Sequence, residues 1–297
     1  MQNKKSRLYR YTDKILKKSF FLPNITRMRL LFRFRHGYSL NLEHPRTYNE
    51  KLQWLKIHDR HKEYTNMVDK IEAKKHVASI IGEEYIIPTL AVFNNVEEID
   101  FDILPQQFVM KCTHDSGGIV VCTDKSNLNR EDAIRKMRKG LRTKYSKYNM
   151  EYPYDDVVPR IIVEPFLVDE SGYELKDYKF FCFNGIAKCL FVATDRPDDT
   201  KFDFFDMEWN HLPIINGHPN NPNPIPRPQN FEKMVEIAEK LSSGIPHVRV
   251  DLYNIGGKIY FGELTFFHWG GMTKIEPLEW DYKLGDMLVL PHIEATR

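Results

Sequence analysis

The 297-residue sequence lacks the features that define several large classes of protein. Its only cysteines are Cys112, Cys122, Cys182 and Cys189, with no C-x-x-C pair, so we expect reduced, structural thiols in a cytoplasmic protein. No run of about 20 apolar residues predicts a membrane span, and no apolar segment near the N-terminus predicts a secretory signal. Phosphate-loop, dinucleotide, nucleophile-elbow and zinc-protease motifs are also absent. Without an evident covalent nucleophile, any catalysis has to depend on positioning and charge neutralisation.

The charges balance overall but are unevenly distributed. The chain has 43 basic and 41 acidic residues, yet residues 1–38 contain eleven basic residues and one acidic residue, a net charge of +10. Apolar residues such as Phe20 and Phe21 lie among these charges. Two interpretations stay open: a helical arm docked on the body, or a segment that contacts an anionic polymer or, peripherally, the inner face of a membrane. No basic run with a binding motif continues into the body, so we expect no nucleic-acid partner.

Helical patterns dominate the first third of the chain, and β patterns follow. A capping box at Thr47–Glu50 predicts a helix, a second helix is predicted from Thr65 to the stop at Gly82, and Asn129 and Asn230 are predicted N-caps. We predict strands at 107–113, 119–123, 160–167, 177–183, 186–194, 247–253 and 258–266. This order predicts an α+β fold with two sheets. We divide it into a basic amphipathic arm (1–40), a helical region (41–105) and two β-rich lobes (106–168 and 169–297).

A lysine in the first predicted sheet is placed to bind phosphate. Lys111 lies in an apolar strand directly before a turn of small residues, His114-Asp115-Ser116-Gly117-Gly118. Such a turn can direct backbone N–H groups at phosphate oxygens while the lysine supplies a point charge. The alternative is a plain β-hairpin whose lysine extends to solvent.

A carboxylate ends the next apolar strand. Glu164 is followed by Pro165, which breaks the strand ladder and frees backbone groups to pair with a planar ligand such as adenine. The alternative is an edge-strand glutamate that faces water. A second strand lysine, Lys179, lies among aromatic residues further along the chain.

The last predicted hairpin contains charged residues in very apolar strands. Burying Arg249, Asp251 and Glu263 there is costly unless they meet each other or a cation. A three-residue turn at 255–257 would place Glu263 opposite Arg249 and diagonal to Asp251, whereas a two-residue turn at 256–257 would separate the two acids onto opposite faces. With the three-residue turn, the acids form either a Mg²⁺ site or an ion network with Arg249, and we favour the metal site because one arginine cannot compensate two carboxylates.

The ordered set of motifs resembles the TupA-like ATP-grasp family of cell-surface polysaccharide gene clusters, whose members are often labelled glycosyltransferases. The resemblance covers about residues 40–291. It rests on the runs PRTYNEKLQWL (45–55), KCTHDSGG (111–118), LKDYKFFCFNG (175–185), VRVDLY (248–253) and YFGELTF (260–266). It implies an ATP-grasp architecture, in which two β-rich lobes clamp a nucleotide behind a helical N-terminal region.

The resemblance also implies roles for individual residues. Lys111 and Lys179 would bind the phosphates of ATP, and the turn from His114 to Gly118 would close over them. The adenine and ribose would face Glu164, Pro165, Phe166 and Leu167. The Mg²⁺ ion would be bound by Asp251 and Glu263, with Thr265 where the wider superfamily has a metal-binding asparagine. Arg249 would neutralise the transferred phosphate together with Lys179.

The implied activity is ATP-dependent carboxylate–amine ligation through an acyl phosphate, with ATP and Mg²⁺ as cofactors. We expect the ligase to join an amino acid or amino compound to a uronic acid of a capsular or cell-wall polysaccharide or its precursor, with Arg196 and His268 as substrate contacts or as ordinary surface residues. The alternative is a nucleotide-sugar glycosyltransferase, based on the D-x-D tripeptide at Asp100–Asp102. A third possibility is a non-catalytic glycan-binding scaffold.

Overall fold

The computed structural model describes residues 6–115, 117–196 and 198–292. The helices in these ranges are Arg7–Lys17 (α1), Asn24–His36 (α2), Tyr48–His58 (α3), Glu63–Val68 (α4), Glu72–Ile81 (α5), Arg130–Leu141 (α6), Tyr145–Asn149 (α7), Phe231–Ser242 (α8) and Leu278–Met287 (α9). The strands are Ala91–Phe93 (β1), Phe108–Cys112 (β2), Ile119–Cys122 (β3), Ile161–Pro165 (β4), Asp177–Phe183 (β5), Ile186–Thr194 (β6), Lys201–Asp206 (β7), His211–Leu212 (β8), His247–Ile255 (β9) and Lys258–Thr265 (β10). No helix in the described ranges is both long and apolar enough to cross a bilayer.

The strands form two antiparallel sheets, which confirms the predicted α+β class. The small sheet has the order β1-β4-β2-β3, and the large sheet has the order β10-β9-β5-β6-β7-β8. The hairpin between β5 and β6 turns at Asn184-Gly185, where both residues have positive φ, as a type I′ turn requires. Strands β1, β7 and β8 were not predicted.

The two faces of the large sheet have different neighbours because side chains alternate along a strand. On β5, Phe180 stacks near Phe231 of α8, and the Cys182 thiol donates to a carbonyl of the same helix. On the opposite face Phe181 packs against Tyr48 of α3. The charged residues of β5 and β9 discussed below, Asp177, Lys179, Arg249 and Asp251, share this α3 face.

The helix predicted from Thr65 to Gly82 is in fact two helices, α4 and α5. Asp69 interrupts it with an extended backbone, and its Oδ1 accepts a hydrogen bond from the Ile71 N–H at 2.8 Å. The other oxygen pairs with Arg160 at 3.0 Å, and the Lys70 N–H donates to the Thr113 carbonyl. These contacts fasten the break to the small sheet, which a local helix pattern does not reveal.

The two N-terminal helices are attached differently. Helix α2 buries Met28, Leu31 and Phe32 in a cluster with Met272, so this part of the basic arm is docked. Helix α1 has no buried residue. It is held to α2 by the Asp13–Arg35 ion pair at 2.7 Å.

Candidate active site

A β-bulge, and not the turn, brings the two predicted metal-ligating acids together. The hairpin turns at Gly256-Gly257 and pairs Lys258 with Ile255, so of the two turn lengths considered from the sequence the two-residue turn is present. By itself this register would separate the acids, but an irregularity between Phe261 and Glu263 shifts it by one residue. Glu263 therefore lies directly opposite Asp251, and not opposite Arg249 as the three-residue turn would have placed it. Thr265 lies opposite Arg249.

Arg249 is the centre of an ion network on this face. Its Nε and Nη2 donate to Oδ1 and Oδ2 of Asp251 at 2.6 and 2.7 Å, a bidentate pair. The same Nη2 donates to Glu263 Oε1 and to Thr265 Oγ1, each at 3.0 Å. The ion network considered from the sequence is therefore present, and the acids that form it are the predicted metal ligands.

The two acids differ in how far their oxygens are occupied. Asp251 is buried, with both oxygens engaged by Arg249 and Lys179. The Glu263 side chain is 39% exposed, and in the described chain its Oε2 makes no hydrogen bond. Burial raises the pKa of Glu263, but the charges of Lys179, Lys70 and Arg249 outweigh burial and hold the pKa at about 2. Glu263 is thus an ionised carboxylate with one oxygen available to a ligand.

His268 accepts a hydrogen bond from Arg249 and helps to hold its guanidinium in place. Its Nδ1 lies 2.7 Å from Arg249 Nη1, and its Nε2 lies 2.6 Å from Asn216 Oδ1. Because the guanidinium can only donate, Nδ1 accepts and Nε2 carries the proton. Burial and the charge of Arg249 keep the pKa of His268 well below its usual value, so the ring is neutral. With both nitrogens occupied and the side chain buried, His268 is placed to orient Arg249, while its predicted contact with substrate stays a prediction.

Lys179 lies between two carboxylates on the same face. Its Nζ contacts Asp177 Oδ2 at 2.7 Å and also pairs with Asp251. Arg196 reaches Asp177 Oδ2 at 3.0 Å from a side chain that is 37% exposed. Burial alone would raise the pKa of Asp177, yet Lys179 and Arg196 lower it. Asp177 had no predicted role, although its position two residues before Lys179 in a strand places both on one face.

The small sheet holds a second charged cluster. Lys111 Nζ lies 2.6 Å from Glu164 Oε2, and Lys74 Nζ lies 2.5 Å from Glu164 Oε1. Burial raises the pKa of Glu164, but the two lysines lower it overall. Lys111 and Glu164 are adjacent, as one ligand site requires, because β2 and β4 are neighbours. Lys74 was missed, since an amphipathic helix with two adjacent lysines, Lys74 and Lys75, does not indicate which one points inward.

The residues after Glu164 and the predicted phosphate turn lie on the same lobe. Pro165 ends β4, and Phe166 and Leu167 follow it half-buried. In the turn, Asp115 Oδ1 accepts from the Gly118 N–H at 3.0 Å, and His114 Nε2 contacts the Thr143 carbonyl. Gly117 is exposed, and Ser116 lies outside the described residues. The roles of these residues toward ATP stay predictions.

Helix α5 and the charge of Lys70 connect the two clusters. Helix α5 contacts β10 and also supplies Lys74 to Glu164. Lys70 donates to the Asp115 carbonyl of the small-sheet turn at 2.6 Å, and its charge helps to lower the pKa of Glu263 in the large sheet. The pKa of Tyr253 is raised mainly by burial, and Glu164 is among the charges that add to the rise.

The carboxylate oxygens of Glu263 and Asp251 suit a magnesium ion that is also bound by the phosphates of a nucleotide. The described residues contain no group of three or more histidine, cysteine or acidic side chains arranged to hold a metal alone. Mg²⁺ needs only one or two protein carboxylates and completes its shell with water and phosphate oxygens. Glu263 offers a free oxygen for this purpose, whereas Asp251 would first have to release part of its contact with Lys179 or Arg249.

The sequence matches the TupA-like ATP-grasp family over residues 50–289, and the chain belongs to that family. The match confirms the predicted family, the ATP-grasp fold class and the prediction of an ATP-grasp enzyme. Comparison with curated proteins gave no match.

Several solved structures are similar at low identity. D-alanine–D-alanine ligase from Helicobacter pylori is 14% identical with a TM-score of 0.44, covering 81% of this chain and 69% of that one. L-amino acid ligase from Bacillus licheniformis is 12% identical with a TM-score of 0.45, covering 85% and 57%. The ATP complex of D-alanine–D-alanine ligase from Bacillus anthracis is 14% identical with a TM-score of 0.38, covering 67% and 53%. The chain therefore spans between 53% and 69% of the length of these three.

Proposed function

We propose that the protein is an ATP- and Mg²⁺-dependent ligase that joins the amine of an amino acid or amino compound to a carboxylate. The observation that supports this proposal is the pair of charged clusters that α5 connects, Lys111 with Glu164 in the small sheet and Lys179 with Arg249 and Glu263 in the large sheet. Strand lysines and a half-exposed acid suit a bound nucleotide with its metal, and they need no protein nucleophile. Family membership supports the same reaction class.

The reaction balances without a covalent enzyme intermediate. An oxygen of the substrate carboxylate forms a bond to the γ-phosphorus of ATP as the bond to the β–γ bridging oxygen breaks, which yields an acyl phosphate and ADP. The amine nitrogen then attacks the acyl carbon, phosphate leaves, and the amine loses a proton to give the amide. Mg²⁺ neutralises phosphate charge when bound, and Glu263 would be its principal ligand from the protein.

The residues of this chain contribute position and charge. Lys111 and Lys179 would donate to phosphate oxygens, and in doing so would exchange part of their present contacts with Glu164 and Asp177. Arg249 is held in place by Asp251 and His268, so its positive charge is fixed beside Glu263 before substrate binds. A fixed cation at developing phosphoryl charge is worth about 10²–10³ in rate.

We place the carboxylate near Arg196, whose guanidinium is partly exposed and shares Asp177 with Lys179. We further propose that the carboxylate is a hexuronic acid of a capsular or cell-wall polysaccharide or its precursor, and that the enzyme acts in the cytoplasm. The support for this substrate is the resemblance to the family of polysaccharide gene clusters, together with a half-exposed cation able to pair with a sugar carboxylate.

The test is an assay of ADP release with ATP, Mg²⁺, a panel of uronates and a panel of amino acids. Amide formation with one equivalent of ADP, dependent on both substrates, is the expected result. Release of a nucleoside diphosphate from a nucleotide sugar without ATP would show a glycosyltransferase instead. The D-x-D tripeptide on which the glycosyltransferase alternative rests lies in an exposed turn, where Asp102 forms an ion pair with Arg130 at 3.0 Å. Glycan binding with no ATP binding would show a scaffold.

A further inference from the structure

A basic groove of about 590 Å³, lined by none of the candidate site residues, lies between α6–α7 and the residues that follow α1. No acidic side chain is among the described residues that line it. Its aromatic members are Phe20 and Tyr148, whose rings meet edge-on at 5.8 Å. Its cationic members are Arg135, Arg138, Lys139, Arg142, Lys144 and Lys147.

Most of these cations are not neutralised by the protein. Arg135 pairs with an acid on its own helix, and Arg138 pairs with Glu97 at 3.1 Å. The other four are exposed and form no ion pair within the described chain. Residues 130–147 include eight basic and two acidic residues. Like charges gathered on one surface repel each other, so this surface suits an anionic partner.

The exposed side of α1 adds an apolar stripe. Leu8, Tyr11 and Ile15 recur at helical spacing and are exposed, while the opposite side of the helix faces α2 through Asp13. After α1, the Phe21 side chain is 86% exposed. Phe20, the residue before it, lines the basic groove, so the segment that leaves α1 joins the apolar stripe to the groove along the chain.

We propose that this surface docks the protein on an anionic lipid bilayer. We call it the docking face and define it by Leu8, Tyr11, Ile15, Phe21 and the four unpaired cations Lys139, Arg142, Lys144 and Lys147. A soluble polyanion would use the cations but leave the apolar stripe in water. An anionic bilayer would bind both the cations and the apolar stripe. Aromatic and aliphatic side chains insert at the headgroup boundary, while lysine and arginine pair with lipid phosphates.

The docking face is connected by one hydrogen bond to the turn of the candidate active site. Thr143, in the segment that lines the groove, accepts a hydrogen bond from the His114 ring, and His114 begins the turn predicted to close over the nucleotide phosphates. A bilayer on the docking face would therefore contact the segment that is hydrogen-bonded to this turn. The proposal itself does not depend on the ligase activity.

The test is co-sedimentation of the 297-residue protein with vesicles of phosphatidylglycerol and phosphatidylcholine in equal parts, and with phosphatidylcholine vesicles alone. Binding to the anionic vesicles that weakens as salt is raised is expected. Each surface cation contributes about fivefold in partitioning, so Lys139→Gln with Arg142→Gln should lower it about 25-fold. The matched control, Lys188→Gln with Lys240→Gln, removes two exposed cations elsewhere and should leave binding unchanged.

The apolar stripe is tested separately. Phe21→Ser should weaken binding at least about tenfold, since the ring no longer inserts. Ile103→Ser, at another exposed apolar residue, should have no effect. Equal binding to both kinds of vesicle, equal losses in test and control variants, or binding to dextran sulfate without binding to anionic vesicles would each overturn the proposal. Circular dichroism of every variant shows whether it is folded.

Discussion

Replacing Glu263 by glutamine separates its structural role from its predicted metal-binding role. The amide oxygen of glutamine can still accept from Arg249 Nη2, which lies 3.0 Å from Glu263 Oε1. What the substitution removes is the negative charge on Oε2, the oxygen that makes no hydrogen bond within the described chain. Fold and activity should therefore respond very differently.

The exposure and the contacts of Glu263 indicate how large the changes in stability and in activity should be. A partly exposed ion pair contributes about 0–1 kcal/mol, so the thermal midpoint of Glu263→Gln should stay within about 3 °C of the unmodified protein. Loss of a ligand that stabilises phosphoryl charge should lower the rate about 10²- to 10³-fold. Asp251→Asn is the contrasting variant. Asp251 is buried and bound by Arg249 and Lys179, so its loss should cost about 3–5 kcal/mol and lower the midpoint roughly 5–15 °C.

The assay pairs thermal unfolding with ADP release measured over a series of Mg²⁺ concentrations. For Glu263→Gln we expect a higher Mg²⁺ requirement along with the lower rate. Glu232→Gln is the matched control, because Glu232 also pairs with an arginine, at 2.6 Å, but on the exposed side of α8. Unchanged ATP-dependent activity in Glu263→Gln would refute the assignment of this residue to the metal.

Lys111→Met should weaken binding of a non-hydrolysable ATP analogue about 10- to 100-fold, because a charge-assisted hydrogen bond to phosphate is lost. Calorimetric titration measures this affinity, and an unchanged affinity would exclude Lys111 from the phosphate site. Gly262→Ala should cost about 1–3 kcal/mol in thermal unfolding and also lower activity, because its Cβ would lie 3.0 Å from the Asp251 carbonyl oxygen and 3.3 Å from the Tyr253 ring; full activity would show that the bulge is not needed. Burial lowers the pKa of His36 to about 4, so between about pH 6.5 and pH 4 the unfolded chain binds a proton that the folded chain does not, and stability should fall by up to about 3 kcal/mol as the pH drops through this window. His36→Gln should flatten that slope in urea unfolding, and an unchanged slope would assign it to other groups.

Local signals in the sequence predicted much of the fold. The capping box at Thr47 and Glu50 is present as expected, because both of its hydrogen bonds form within four residues. The turn at Asn184-Gly185 is also determined locally, by two residues that tolerate positive φ. Strand β7 was missed, although its phenylalanine-rich sequence carries a strand signal.

The sequence was less informative where distant parts of the chain meet. The turn at Gly256-Gly257 has two plausible lengths, and nothing local shows that Gly262 supplies a bulge that restores the alignment of Asp251 with Glu263. That alignment depends on a one-residue irregularity six residues from the turn. Lys74 was unpredictable for a similar reason, since its partner Glu164 lies in a strand 90 positions later in the chain.

The most direct measurement is a crystal structure of the protein with a non-hydrolysable ATP analogue and Mg²⁺. Our account predicts the analogue between the two sheets, with phosphate oxygens within hydrogen-bonding distance of the Lys111 and Lys179 ammonium groups and the metal bound to Glu263. A nucleotide bound on another surface, or one that contacts only one of the two sheets, would contradict it.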